Sequence, residues 1–265
     1  MNDPAAIREV RALLEEPGCV PCLAARLGAR RFLHQVLWEG VTDIDVRRRI
    51  RGSGGYCREH FAVAADLARD EGLAPGLAII LADLLGRLDA DAGVAVEGRK
   101  LKSRWKRRSG SSSAATDGAR VCAACDAAGA SAHRALWLLA RIEAGTQIHT
   151  EVSALGRTLC APHLREGLAA SATPEQRARL TEMFQRGLAS VQGDLAGFIR
   201  KTEHRHRDEP VSAGEATSWD RALDLIAGAQ PMRRRNAQSV DEHASEHHAG
   251  DDREDAGGQA PEDIQ

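Results

Sequence analysis

Apolar residues recur at helical spacing in nearly every part of this chain that shows a period. The clearest example follows Pro75, and a second apolar stripe follows Thr173-Pro174, which supplies an N-cap and a proline at the first helical position. No segment alternates β-branched or aromatic residues with polar ones for long enough to predict a strand. The sequence therefore predicts an all-α fold. The two stripes consist of Leu77, Ile80, Leu81, Leu84, Leu85 and Leu88, and of Leu180, Phe184, Leu188, Val191, Leu195 and Phe198.

Start and stop signals divide the remaining helices. Asp3 or Asn2, before Pro4, predicts the cap of a helix that ends at Pro17-Gly18, and Asp43 predicts the N-cap of a short helix through Arg51. Near the C-terminus, the segment from Glu215 predicts an amphipathic helix with Trp219, Leu223 and Ile226 on one side and Gly228 at its end.

All six cysteines fall into one pattern that occurs twice with the same internal spacing. Each copy is Cys-x2-Cys, then thirty-four residues, then Cys-x2-His, and each residue of the second copy lies 103 positions after its counterpart. Three thiolates and one imidazole make a complete tetrahedral ligand set for zinc. The candidate ligands are Cys19, Cys22, Cys57 and His60, and then Cys122, Cys125, Cys160 and His163.

The positions of these motifs favour metal over other cysteine chemistry. Each pair opens a predicted helix, where unpaired backbone N–H groups and the helix dipole stabilise a thiolate. A redox Cys-x2-Cys would leave Cys-x2-His unexplained, and a disulfide framework suits a short secreted chain. The sequence predicts two structural zinc ions, with an iron–sulfur cluster as the alternative. Four protein ligands leave no open position for catalysis, so we expect a protein that is not an enzyme.

We expect each Cys-x2-Cys to share its metal with the Cys-x2-His of its own repeat. Closing a loop of thirty-four residues costs less chain entropy than closing a longer one through the other repeat. The predicted architecture is therefore two tandem helical modules, each organised by one metal site. The chain is predicted to consist of a first module at 1–108, a linker at 109–118, a second module with the C-terminal helix at 119–228, and a disordered acidic tail at 229–265.

Composition limits the compartment and the partners. The N-terminal residues contain no apolar core typical of a signal peptide, and no apolar run approaches the ~20 residues of a membrane span. A cytoplasmic protein without a membrane segment is therefore expected. The net charge of −2 argues against a generally nucleic-acid-coated surface, although the basic arm at 99–108, around Trp105, leaves nucleic-acid binding open.

Histidines outside the repeated motif are weaker candidates. His204 and His206, with Glu203, could form a further metal or acid–base site, but a charged exposed segment explains them more simply. His34, His133 and His149 lie in predicted helices. Because both sets of four metal ligands are already complete without them, we expect them to be surface or core residues rather than ligands.

Three stretches carry a resemblance to a known family. They are Cys19-Val20-Pro21-Cys22, then Tyr56-Cys57-Arg58-Glu59-His60 after a helix with Trp38-Glu39, and finally Arg200-Lys201 with Pro210, Glu215, Ser218-Trp219 and Arg221-Ala222. The chain resembles, over roughly residues 15–228, a bacterial domain-of-unknown-function family of helical proteins with paired Cys-Pro-x-Cys and Cys-x2-His motifs. The second motif, Cys122-Ala123-Ala124-Cys125, lacks the proline.

The functional prediction is an interaction or regulatory scaffold with structural zinc and an unidentified protein partner. The alternatives are a thiol redox, sulfur-handling or iron–sulfur protein, and a nucleic-acid-binding factor that uses the arm at 99–108. We further expect the Ser218-Trp219 helix to dock onto the modules, beside a charged segment, Arg200–Arg207, that offers a surface to a partner or a small anion.

Overall fold

The computed structural model describes residues 4–14, 16–96, 121–143, 145–154, 159–206 and 208–229. In these residues every regular element is a helix, which confirms the predicted all-α class. The helices of the first half are α1 (Pro4–Leu14), α2 (Val20–Trp38), α3 (Ile44–Ser53), α4 (Arg58–Asp70) and α5 (Ala74–Val96). Those of the second half are α6 (Ala123–Ala140), α7 (Gln147–Ala154), α8 (Ala161–Ala170), α9 (Pro174–Lys201), α10 (Ala213–Ala216) and α11 (Ser218–Ala227).

Several predicted helix ends are confirmed in atomic detail. The Asp43 carboxylate accepts hydrogen bonds from the backbone N–H groups of Asp45 and Val46, and the Thr173 hydroxyl accepts one from Gln176. Gly228 ends α11 with a φ of 83°, a left-handed value that glycine adopts without strain. These local signals define where the helices begin and end.

Among the described helices, the most extensive contact joins α2 and α6, the two helices that follow the Cys-x2-Cys motifs. They run antiparallel, because residues early in α2 pack with the end of α6 and residues late in α2 pack with its start. Their axes approach closely at Gly28, where an added Cβ would lie 2.6 Å from the Cβ of Ser131. A larger residue at position 28 would therefore push the two helices apart.

Two apolar clusters flank this central pair, and each combines both halves of the sequence. The first contains α1, the start of α2, the end of α6 and residues of α7 and α9. The second contains the end of α2 with α3, α4 and α5, and it also includes Cys122 and Ala124 from the start of α6. The described residues belong to one compact unit, which spans 1–231.

The predicted apolar stripe of α5 divides between two environments. Ile80 is buried, and Leu77 and Leu84 pack against the second cluster, whereas Leu81, Leu85 and Leu88 are exposed. The single stripe read from sequence is thus two adjacent rows, of which one faces the core.

A polar latch fixes the segment that leads to α11. The Lys201 ammonium donates to Glu215 and to the Pro210 carbonyl, each at 2.7 Å, and both side chains of the ion pair are only 12% exposed. The same carboxylate accepts the backbone N–H of Ser212 in a capping box, and the hydrogen bond with Lys201 lowers the pKa of Glu215 to about 2. α11 then packs on α8 and α9.

The predicted boundaries of the modules stay a prediction. Residues 97–120, which include the basic arm at 99–108 and the linker at 109–118, lie outside the described residues. So does the predicted tail, apart from its first residue, Ala229. None of the described helices combines the length and apolar character that crossing a bilayer requires.

Candidate metal centres

All eight predicted ligands lie in the first turns of four helices. Cys19, Cys57, Cys122 and Cys160 are the N-caps of α2, α4, α6 and α8, and none of these thiols caps its helix by a side-chain hydrogen bond. The second member of each pair follows three residues later, so both point from the same helical turn. The prediction that each motif opens a helix is confirmed.

The structure brings the eight residues together as two groups, each of three cysteines and one histidine. Site 1 consists of Cys19, Cys22, Cys160 and His163, and site 2 consists of Cys57, His60, Cys122 and Cys125. In each site the four ligand atoms lie within 4.8 Å of one another. Within the described part of the chain, these are the groups of three or more close potential ligands.

The expected pairing of the motifs is wrong. Each Cys-x2-Cys meets the Cys-x2-His of the other repeat, so every site takes two ligands from the first half of the chain and two from the second. The antiparallel packing of α2 and α6 is the reason. It carries the start of α2 to α8 and the start of α6 to α4.

Chain entropy does favour pairing within a repeat, but only by a small free energy. Cys22 and Cys160 are 138 positions apart and Cys57 and Cys125 are 68 apart, against 35 between Cys22 and Cys57. Closing the longer loops costs about 1.2 and 0.6 kcal/mol more. Each fully buried leucine contributes ~1.5–3 kcal/mol, so the apolar contacts of α2 with α6 decide the pairing.

The distances in site 1 fit a single tetrahedral ion. The Cys160 sulfur lies 3.6 Å from the Cys19 sulfur and 3.8 Å from that of Cys22. His163 Nδ1 lies 3.1, 3.5 and 3.4 Å from Cys160, Cys19 and Cys22. Metal–sulfur bonds of about 2.3 Å and metal–nitrogen bonds of about 2.0 Å at tetrahedral angles require sulfur–sulfur distances of roughly 3.8 Å and sulfur–nitrogen distances of roughly 3.5 Å. Site 1 could hold a metal ion with little movement.

Site 2 has closely similar dimensions. The sulfurs of Cys57 and Cys125 are 3.7 Å apart, and His60 Nδ1 lies 3.1, 3.3 and 3.8 Å from Cys57, Cys125 and Cys122. Both sites are partly buried, with Cys19, Cys160, Cys122 and His60 in the interior. All six cysteines are free thiols.

Without a cation, negative charge is concentrated on one sulfur of each site. Hydrogen bonds from Cys19 and Cys22 hold the pKa of Cys160 far below its usual range, and hydrogen bonds with Cys160 and Cys22 raise the pKa of Cys19. Burial acts to lower the pKa of His163, but hydrogen bonds with Cys160 and Cys22 raise it to about 10. Site 1 therefore holds protons that an incoming cation must displace.

Site 2 shows the same division between two thiols. Burial acts to raise the pKa of Cys122, but hydrogen bonds from His60 and from backbone N–H groups, including that of Ala124, lower it to about 6. Burial and the charge of Cys122 raise the pKa of Cys125. A divalent cation would stabilise all three thiolates at once.

Some residues that pack beside the sites could not be identified from the Cys-x2-Cys and Cys-x2-His motifs. An added Cβ at Gly228 would lie 3.6 Å from the Cys22 sulfur and 3.7 Å from that of Cys160, so the end of α11 covers site 1. Tyr56 and Leu159, which precede Cys57 and Cys160, are fully buried. The Ser212-x-x-Glu215 capping box is the sequence signal that could have located the latch before α11.

The other candidate residues lie apart from both sites. His34 approaches Glu71 at 3.4 Å, and His133 is exposed. His206 Nδ1 lies 2.9 Å from Glu209, and Arg200 binds the same carboxylate at 2.9 and 2.6 Å. The described cations of the Arg200–Arg207 segment thus face carboxylates of the chain itself.

The predicted docking of the Ser218-Trp219 helix occurs through a different face from the one with the apolar signal. Ser218 and Leu225 are buried against the core, whereas Trp219, Leu223 and Ile226 are exposed.

Fold and sites together define a class: an all-helical protein with two sites of three cysteines and one histidine that could each hold a metal ion. The chain belongs to the family of unknown function DUF6062, which matches residues 6–233, and the resemblance read from the sequence is thereby confirmed. It is also similar to an uncharacterized 23.9 kDa protein in the xynA 3' region of Caldicellulosiruptor sp. (strain Rt8B.4). The two are 22% identical over 230 residues, which cover 82% of this chain and 98% of the relative. No solved structure matches the chain.

Proposed function

We propose that this protein is a non-catalytic zinc protein in which two structural ions fasten the two halves of a helical scaffold for protein interaction or regulation. The observation that carries the proposal is the exchange of ligands, since every site needs residues from both halves. A structural ion contributes ~10 kcal/mol or more of gross binding free energy to the folded state. Zinc removal would therefore loosen the contact between α2 and α6.

Zinc fits these sites better than an iron–sulfur cluster does. All four ligand atoms lie within 4.8 Å of one another, as they must around one ion, whereas a cluster distributes its ligands over several irons. Four protein ligands also complete the tetrahedron and leave no coordination position for substrate. Six free thiols support a reducing compartment, and we propose the cytoplasm.

Metal analysis of the full chain after anaerobic purification tests the proposal. We expect two zinc ions per chain, no absorbance at roughly 400 nm, and six thiols that react with a thiol reagent only after a chelator is added. Cys160→Ser should remove one equivalent, and Ser111→Ala, outside both motifs, is the control. Bound iron with visible absorbance would mean that the sites hold iron–sulfur clusters and not zinc. Thiols that react while zinc is bound would favour a redox or sulfur-handling protein.

A further inference from the structure

Tyr56 is a buried side chain whose hydroxyl has no hydrogen-bond partner among the described residues. The residue is 1% exposed and directly precedes Cys57, a ligand of site 2. Its ring packs edge to face on the ring of Phe61, at a centroid distance of 5.5 Å. Buried hydroxyls nearly always have a partner, because losing water without gaining a hydrogen bond costs free energy. This hydroxyl is therefore a donor that still lacks its acceptor.

The surroundings of Tyr56 offer one such acceptor, the sulfur of Cys122 in site 2. Both residues belong to the second apolar cluster. The backbone N–H of Cys57, the next residue along the chain, already donates to the Cys122 sulfur. Burial and the negative charge of Cys122 raise the pKa of Tyr56, so its hydroxyl stays protonated at neutral pH and lies within electrostatic range of that sulfur.

Site 1 has no hydroxyl at the corresponding position. Leu159 lies 103 residues after Tyr56, is fully buried as well, and directly precedes Cys160. The two sites thus share their ligand types but differ in one adjoining side chain, a phenol at site 2 and an aliphatic group at site 1. A property that depends on the phenol should therefore differ between the sites.

Metal binding increases the need for a donor at this point. Three thiolates and one neutral imidazole around a divalent cation leave one net negative charge, which is spread over the sulfurs. Burying that charge is costly unless hydrogen-bond donors face it. Donors that contact a ligand rather than the metal orient that ligand, and their loss typically weakens metal binding by about 10–100-fold.

We propose that Tyr56 is a positioning residue of site 2, whose hydroxyl donates a hydrogen bond to the Cys122 thiolate when the site holds its metal ion. The bond orients the Cys122 sulfur and raises the metal affinity of site 2, a contribution that site 1 lacks. The inference rests on the proposed function, because it requires an ion at site 2.

Tyr56→Phe tests the inference, since it removes the hydroxyl and keeps the ring that packs on Phe61. Cadmium NMR of the full chain, loaded with cadmium in place of zinc, gives one resonance for each site, and the loss of a resonance in Cys57→Ser identifies that of site 2. We expect Tyr56→Phe to shift the site 2 resonance alone. A chelator titration that follows each resonance should show metal binding weakened ~10-fold or more at site 2 and unchanged at site 1.

Ser218→Ala is the matched control, because it also removes a fully buried hydroxyl. That hydroxyl donates to the Glu215 carbonyl at 2.7 Å, apart from site 2. Ser218→Ala should leave the site 2 resonance and the affinity of site 2 unchanged, and circular dichroism should show that both variants fold like the parent protein.

Two results for Tyr56→Phe would overturn the inference and leave the proposed function standing. One is a site 2 resonance and affinity equal to those of the parent protein, which would mean that the hydroxyl does not act on the metal-bound thiolate. The other is equal weakening at both sites, which would mean that the variant acts through overall stability. A parent chain that binds no ion at site 2 would overturn both proposals.

Discussion

Single residues at the helix starts decide whether these sites bind a cation or protons. Cys19, Cys57, Cys122 and Cys160 are N-caps whose side chains are not used to cap their helices. Their sulfurs remain available to a ligand while the nearby N–H groups stabilise negative charge. A serine would take the usual capping role, so Cys→Ser keeps the helix and removes the metal ligand.

Zinc binding should release protons and weaken as pH falls. In the metal-free site the pKa of His163 is raised to about 10, which keeps that imidazole protonated at neutral pH. The pKa of Cys19 is also raised, which keeps its thiol protonated. Binding at site 1 must displace at least these two protons, so the apparent affinity should fall ~100-fold or more for each unit that the pH falls. Calorimetry in buffers of different ionisation enthalpy measures the release. A release of fewer than two protons for site 1 would show that these groups are already deprotonated.

At the scale of the elements, the close packing of α5 on α2 depends on one glycine. At the start of α5, an added Cβ on Gly76 would lie 1.9 Å from the Leu37 carbonyl oxygen at the end of α2. Backbone atoms cannot move aside as the end of a flexible side chain can. This contact anchors α5 on α2, and therefore sets which row of leucines faces the core.

Gly76→Ala should destabilise the protein by ~2 kcal/mol or more, because α5 must move away from α2. Gly86→Ala on the same helix is the matched control. An added Cβ there meets nothing within 4 Å, and alanine in a helix interior is favoured by up to ~1 kcal/mol over glycine. Urea unfolding of the zinc-loaded proteins measures both. Equal stability of the two variants would mean that α5 is not held against Leu37.

Local sequence signals predicted the elements well and their tertiary pairing badly. Periodicity and caps located α3 and α9, and the repeated spacing identified all eight residues of the two sites. The stripe of α5 could not be divided into its two rows from sequence, because the division depends on what α4 and α2 cover. Likewise, the sequence could not show that Trp219, Leu223 and Ile226 of α11 are exposed, because that depends on which side of α11 packs on α8 and α9.

At the scale of the whole molecule, the sequence repeat is not a structural unit. The repeat suggests two modules that each bind their own metal, whereas α2 and α6 pack antiparallel and each apolar cluster draws on both halves. Loop entropy differs by only about 1–2 kcal/mol between the two pairings, so tertiary packing decides between them. The consequence is a chain whose two candidate metal sites lie one at each end of the α2–α6 pair, each with ligands from both halves.

The zinc content of two double variants of the full chain tests this exchange most directly. Cys19→Ser with Cys160→Ser removes two ligands of site 1 and leaves site 2 complete. Cys19→Ser with Cys57→Ser removes one ligand from each site. Native mass spectrometry at stoichiometric zinc should find one tightly bound ion in the first variant and none in the second. One ion in the Cys19/Cys57 variant and none in the Cys19/Cys160 variant would mean that each repeat binds its own metal, and would contradict the account.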